Sequence, residues 1–170
     1  MITDYGVPTV HEVTVSSPVG LLRLRASDAA LVGVHFLRER PTSASQMSCP
    51  DPGAPTALLA ETARQLDEYF AGKRTTFELP IAPEGTPFQR QVWEALLEIP
   101  FGQTMSYGEF ARRIGQPTAV RAVGAANGQN PIAIVIPCHR VIGSTGRLVG
   151  FGGGLDTKRF LLNLERGALF

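Results

Sequence analysis

The chain has 170 residues, 44% of them apolar and 18% charged, with a net charge of +1. That length suffices for one full-sized domain or two small ones, and the composition is that of an ordinary soluble globule. No apolar stretch reaches the roughly 20 residues of a membrane span, and "MITDYGVPTVHE" lacks a signal peptide's basic-then-apolar layout, so cytoplasmic residence and no membrane partner are expected.

Residues 10 to 37 alternate as strands do. "VHEVTVSS", "LLRLRAS" and "LVGVHFL", separated by "PVG" and "DAA", predict two hairpins of an antiparallel meander. The Pro- and Ser-rich stretch of about 38–55 reads as a mobile loop, with Cys49 an incidental exposed thiol inside it. A helix follows from about Thr56 to Ala71, with Leu58, Leu59, Ala63, Leu66, Tyr69 and Phe70 on one face and Gly72 ending it. "TTFELPI" then reads as a returning strand. Residues 1 to 85 hold no cluster of catalytic residue types, so this half is expected to be a small α/β support domain.

The boundary falls in "APEGTP". Thr86, Pro87 and Gln89 supply an N-cap, a first-turn proline and the third-position glutamine of a capping box. The helix "PFQRQVWEALLEI" is expected to bury Phe88, Val92, Trp93, Leu96 and Leu97. Ser106 caps the next short helix, "IGQPT" makes a turn, and a second helix runs from about Ala119 to Asn127, the helix-turn-helix pattern. On that second helix Val120 and Val123 share the core face, while Ala119, Ala122 and Ala126 point outward with Arg121. Such a bare face admits a narrow groove and one probing side chain, or equally a tightly packed neighbouring helix. Residues 87 to 170 carry nine Lys/Arg against five Asp/Glu, which suits a polyanionic partner.

"NPIAIVIPCHRVIG" is the chemical centre of the sequence. The run Ile132 to Ile136 reads as a buried strand, and Pro137 ends it, so Cys138 stands just past a strand end. Cys138 is a packed thiol, half a metal site or a nucleophile. With Cys49, Cys138 and three histidines (His11, His35, His139), and no C-x-x-C or H-x-x-x-H spacing, metal is set aside. A thiol near pKa 8.5 is only about 3% thiolate at neutral pH and needs a base. His139 is adjacent, although extended neighbours point apart, and contact requires a turn or a bridging water. A lone Glu165, on a helix capped by Asp156 and anchored by Phe160, Leu161 and Leu164, is the candidate to orient it, although such a residue is ordinarily solvated. "STGRLVGFGGG" reads as a pliant loop able to close over a flat ligand with Phe151 as a wall.

"IPCHRVIG", with "MSYGEFA" and "ARAVGAANGQNPI" before it and "GFGGGLDTKRFLLNLE" after it, resembles the O6-alkylguanine-DNA alkyltransferases over residues 86 to 165. The resemblance implies an α/β (α+β) fold: a ribonuclease H-like N-terminal domain over 1–85, and a mostly helical, winged-helix-like domain over 86–170. It implies irreversible transfer of an alkyl group from O6 of guanine, and from O4 of thymine, to Cys138, once per molecule and without a cofactor. His139 would deprotonate the thiol through a water, Glu165 would orient His139, and Asn130 would brace the turn. The partner implied is double-stranded DNA carrying the lesion, bound through the minor groove by a monomer, with cooperative loading left open. Ala119, Ala122 and Ala126 would face that groove, Arg121 would replace the flipped base, and Tyr107 would press on the adjacent phosphate. The carbonyls of Cys138 and Val141 would accept from the exocyclic amine, and Gly152 N–H would donate to O6. Most members carry tyrosine where this chain has Phe151, so a donor toward the leaving guanine is lost and slower transfer is expected, since removing a comparable donor costs about 10²-fold or more. A binding-only protein, or a cysteine hydrolase built on Cys138 and His139, are the rival readings.

Overall fold

The computed structural model describes residues 9–37 and 56–167. The 38–55 loop and Cys49 lie outside the described residues.

The meander forms as the alternation predicts. Strands β1 (His11–Ser17), β2 (Gly20–Ala26) and β3 (Leu31–Phe36) make an antiparallel sheet in the order β1-β2-β3. Ser17 pairs with Gly20, whose φ of 102° closes the two-residue turn. Val13, Val15, Leu22 and Leu24 fall on one side at period two and are buried. Helix α1 (Ala57–Phe70) covers that face with Leu59, Ala63, Leu66 and Tyr69, and Thr56 Oγ1 caps it by accepting from Leu59 N. "TTFELPI" does not return as a strand. Leu31 takes up a single bridge to Ile81, because residues 75–80 run without ladder pairing.

The second half is helical. Helix α2 (Pro87–Leu96) carries the full capping box of Thr86 and Gln89. It buries Val92, Trp93 and Leu96, but it ends at Leu96, so Leu97 turns outward and is 46% exposed. The Trp93 indole N–H donates to Ala126 O at 2.8 Å, joining α2 to the second helix of the helix-turn-helix pair. That pair is α3 (Tyr107–Arg113), capped by Ser106, and α4 (Val120–Gly128). Two short strands, β4 (Met105–Ser106) and β5 (Val141–Ile142), pair in parallel, and α5 (Leu155–Glu165) closes the chain.

Three expectations about local structure are corrected. Ile132 to Ile136 is not a strand: Ile134 adopts φ 72°, Ala133 bridges back to Ile136, and the run is a buried tight turn. Apolarity alone reports burial, and here the burial belongs to a turn. On α4 the buried stripe is Val123, Ala126 and Asn127, at i, i+3 and i+4, so Ala126 faces inward while Val120, at the open start of the helix, is 37% exposed. Asp156 does not cap α5; Gly154, at φ 89°, is the N-cap, and Asp156 is fully exposed beside Arg159.

Among the described residues no helix is long and apolar enough to cross a membrane. Replacing Thr86 by Ala removes one half of the capping box and is expected to lower stability by about 1 kcal/mol, read as a shift in the urea midpoint with unchanged slope.

Candidate functional site

Pro137 turns the chain out of the buried 132–136 turn, and Cys138–Arg140 form one turn of 3₁₀ helix. That turn lets adjacent residues project in related directions, which an extended chain forbids. Asn130 ties the ends of the preceding turn: its Nδ2 donates to Ile136 O at 2.8 Å, and its Oδ1 accepts from Ile132 N at 3.0 Å.

Glu165 is fully enclosed, its side chain 1% exposed. Oε1 accepts from Tyr69 Oη at 2.8 Å, His139 Nε2 at 2.7 Å and Arg140 Nη2 at 2.9 Å. Oε2 accepts from Arg140 Nε at 2.9 Å and, more distantly, Gly102 N at 3.4 Å. Burial alone would raise this carboxyl's pKa, but the hydrogen bonds from His139 and Arg140, with the Arg140 charge, outweigh it and hold it at about 2. Burial drives the His139 pKa the other way, below its ordinary value, despite Glu165. The neutral imidazole therefore sits beside an ionised carboxylate that can only accept, which fixes the proton on Nε2. His139 Nδ1 is left as a lone-pair acceptor, buried and without a hydrogen-bond partner among the described residues.

Cys138 is buried, and burial raises its pKa; Asn130 and Lys158 pull in the opposite direction. Together with Asn130, Phe151 and Gly152 it lines a cavity of about 210 Å³. A larger groove of about 660 Å³, between Val32, Ile81, Arg90 and Trp93, contains no cysteine or histidine and shares no lining residue with the Cys138 cavity.

Val141 is not among that cavity's lining residues, but its carbonyl points to the site's second buried charge, accepting from Lys158 Nζ at 2.7 Å. The Cys138 carbonyl already accepts from Val141 N and, at 3.3 Å, from Asn127 Nδ2. Tyr107 starts α3, half-buried, with its ring under the Lys158 ammonium and its hydroxyl 3.5 Å from Asn127 Nδ2. Arg121 and Ala122 are exposed on α4, Ala119 is half-buried at its cap, and Ala125 takes the outward place expected of Ala126.

Sequence reasoning missed Lys158, Arg140, Asn127 and Tyr69. For Lys158 a signal was available. Lys158, Leu161, Leu162 and Glu165 lie at i, i+3, i+4 and i+7, so both charges stand on the apolar stripe of α5, and all four are buried. Among the described residues no group of three or more His, Cys, Asp or Glu could hold a metal ion.

Two family models match the chain: the 6-O-methylguanine DNA methyltransferase DNA binding domain over residues 87–167, and the ribonuclease-like domain of the same proteins over residues 10–83. The chain belongs to this family. A Mycobacterium tuberculosis relative, named methylated-DNA–protein-cysteine methyltransferase, is 48% identical over 157 residues, 92% of this chain and 93% of its own length. A Methanosarcina acetivorans relative of the same name is 48% identical over 150 residues, 88% and 94% of the two chains. The crystal structure of the M. tuberculosis O6-methylguanine methyltransferase superposes with a TM-score of 0.80 at 48% identity, covering 94% of each chain. A crystal structure of the M. tuberculosis protein in complex with DNA gives 0.78 at 47%, covering 92% and 93%. The mixed α/β fold expected from the sequence is that of these structures.

Replacing Glu165 by Gln leaves the Arg140 guanidinium buried without a counter-charge, and is expected to destabilise the protein by about 3–5 kcal/mol in denaturant titrations. Stability should also depend on pH. The folded His139 pKa lies below the ordinary 6.5, so in that window the unfolded chain binds more protons, and stability falls as pH drops through 6.5. His35, lowered chiefly by burial and by the neighbouring Arg25 and Arg23 charges, adds to the same trend. The Glu165 contribution is present above 4.5 and is lost as pH falls toward about 2. Calorimetry at pH 7, 6 and 5 should find a falling midpoint; a flat one would mean that the buried imidazole titrates normally.

Proposed function

We propose that this chain repairs alkylated DNA directly, moving the alkyl group from O6 of guanine onto Cys138 in a single irreversible turnover. Methylated-DNA–protein-cysteine methyltransfer is the activity for which its relatives are named. The observation that carries the reading here is the 2.7 Å hydrogen bond between His139 Nε2 and Glu165, from which the tautomer follows. With Nε2–H held by Glu165, the basic Nδ1 lies buried one residue from the thiol.

In the proposed step the Cys138 S–H proton passes to His139 Nδ1 through a water. The thiolate attacks the alkyl carbon, the S–C bond forms, and the C–O6 bond breaks. Its electron pair stays on the purine, which takes up the proton and leaves as ordinary guanine. Because burial raises the thiol's pKa, little thiolate stands ready, and the base is required. The product is a neutral thioether, and neither His139 nor Glu165 offers a way to reverse it. O4 of thymine presents the same alkyl–oxygen bond and is read as a second substrate.

Base flipping follows from the site's depth, since a buried sulfur cannot reach a stacked base. In this reading α4 enters the minor groove with Ala119, Ala122 and Ala125, and Arg121 fills the gap left by the base. Tyr107 presses on the neighbouring phosphate, and Phe151 walls the flipped guanine. Gly152 N–H donates to O6. Of the two carbonyls expected to receive the exocyclic amine, Val141 already accepts from Lys158 Nζ, and Cys138 already accepts from Val141 N and Asn127 Nδ2. The division of the chain into a support part (1–85) and a transfer part (86–170) belongs to the same proposal.

Intact-protein mass spectrometry after incubation with a duplex carrying one O6-methylguanine tests the core of this. Wild type is expected to gain one methyl and stop, with the mass on the "PCHR" peptide, and Cys138→Ser to gain none. Retained binding without mass gain would make this a lesion-recognition protein instead. Arg121→Ala should slow transfer by roughly 10-fold or more, since re-stacking of the base regains a few kcal/mol. DNA affinity should fall with salt, log K dropping by about 0.9 per neutralised phosphate against log salt.

A further inference from the structure

Strand β3 belongs to the half expected to serve only as support, yet it runs into the transfer cavity. Val34 is hydrogen bonded through both sides of its peptide to the turn that precedes Cys138. Its N–H donates to Pro131 O at 3.0 Å, and its carbonyl accepts from Ala133 N at 3.2 Å. Fixed there, the strand carries His35 and Phe36 onward, and all three residues line the cavity that Cys138 lines. The Phe36 ring meets the Phe151 ring edge-on, with centroids 5.4 Å apart and planes at 61°. It also lies hard against Gly153, where a Cβ would come within 2.9 Å of the ring. The glycine loop is thus seated on Phe36 at two points, one of them the aromatic wall of the cavity.

Size then becomes the deciding quantity. At about 210 Å³ the cavity falls below the roughly 300–1,000 Å³ typical of drug-sized ligands. It suits a flat base with a small substituent. A larger O6 group needs the cavity wall to give way, and that wall is the edge-on pair of Phe36 and Phe151, each holding the other.

We propose that Phe36 is a specificity-determining residue: as the back-stop of the glycine loop it limits the size of the alkyl group accepted, favouring methyl over benzyl. The inference rests on alkyl transfer to Cys138 as read above and extends it to substrate range. It also gives the N-terminal half a direct part in the choice of lesion.

The test compares single-turnover rates, followed by intact mass, on duplexes carrying O6-methylguanine or O6-benzylguanine. Wild type, Phe36→Ala and Phe36→Leu are measured in parallel. The benzyl-to-methyl rate ratio is expected to rise by about 10-fold or more in Phe36→Ala and by less in Phe36→Leu, within the range over which pockets discriminate by size. The ratio is internal to each variant, so partial loss of folded protein cancels from it. An unchanged ratio, with both rates falling in parallel, overturns the inference and leaves Phe36 a packing residue. A lower ratio overturns it too, because Phe36 would then be a contact for the large group. If wild type transfers neither group, the functional reading itself fails. If wild type transfers and the ratio stays fixed, this inference alone fails.

Discussion

The site depends on one buried carboxylate. Glu165 accepts from Tyr69 on α1, from His139 and Arg140 on the 3₁₀ turn and from Gly102 in the loop after α2. An isolated carboxylate so enclosed would neutralise itself. Five donors and one guanidinium make ionisation the cheaper state, and an ionised Glu165 leaves His139 a single tautomer. Four segments distant in sequence converge on one oxygen pair, so the position of the imidazole is fixed by the assembled fold. Arg140 is tied further, its Nη1 donating to Ile99 O at 2.7 Å, which leaves the guanidinium little freedom to follow a displaced carboxylate.

A second buried charge acts on the thiol. Lys158 is fully enclosed, and burial lowers its pKa, with the Cys138 charge acting against that. Its ammonium donates to Val141 O and to Val149 O, which joins β5 to the start of the glycine loop, and it lies over the Tyr107 ring. These contacts compensate a desolvated cation without neutralising it. Cys138 therefore has a neutral imidazole as its chain neighbour and feels the positive charge of Lys158. Burial keeps the resting thiol protonated and shields it from oxidants, while the nearby positive charge stabilises the thiolate once the proton has left.

Much of this was legible in the sequence, and the failures share a cause. The β1–β3 meander, the capping box at Thr86 and the cap at Ser106 rest on local periodicity and local hydrogen bonds, and the sequence shows them; that Thr56 is the N-cap of α1 and that Glu109 completes a box with Ser106 are added by the structure. The 132–136 run failed because a β-branched apolar sequence signals burial without specifying extension, and Ile134 takes a left-handed conformation that nothing local announces. Glu165 looked like a solvated helix residue, since its partners come from 26 and 96 positions away. Val120 and Ala126 exchanged places because both flank Val123 by about 60°, on opposite sides, and the neighbour that α4 packs against lies on the Ala126 side.

The two halves are coupled through two hydrogen-bonded seams, one at Tyr69 and Glu165, the other at Val34 and the 131–133 backbone. Both seams end at the candidate site: the first holds His139 through Glu165, the second seats β3 against the cavity that Cys138 lines. A catalyst that must recycle needs room to discharge its product and regenerate its nucleophile. A protein that reacts once has no such requirement. It can enclose its cysteine, saturate the carboxylate behind its base and close the cavity with side chains from both halves, because nothing has to be undone after the S–C bond forms. On the proposed single-turnover reaction, the depth of the site is in that sense compatible with the chemistry.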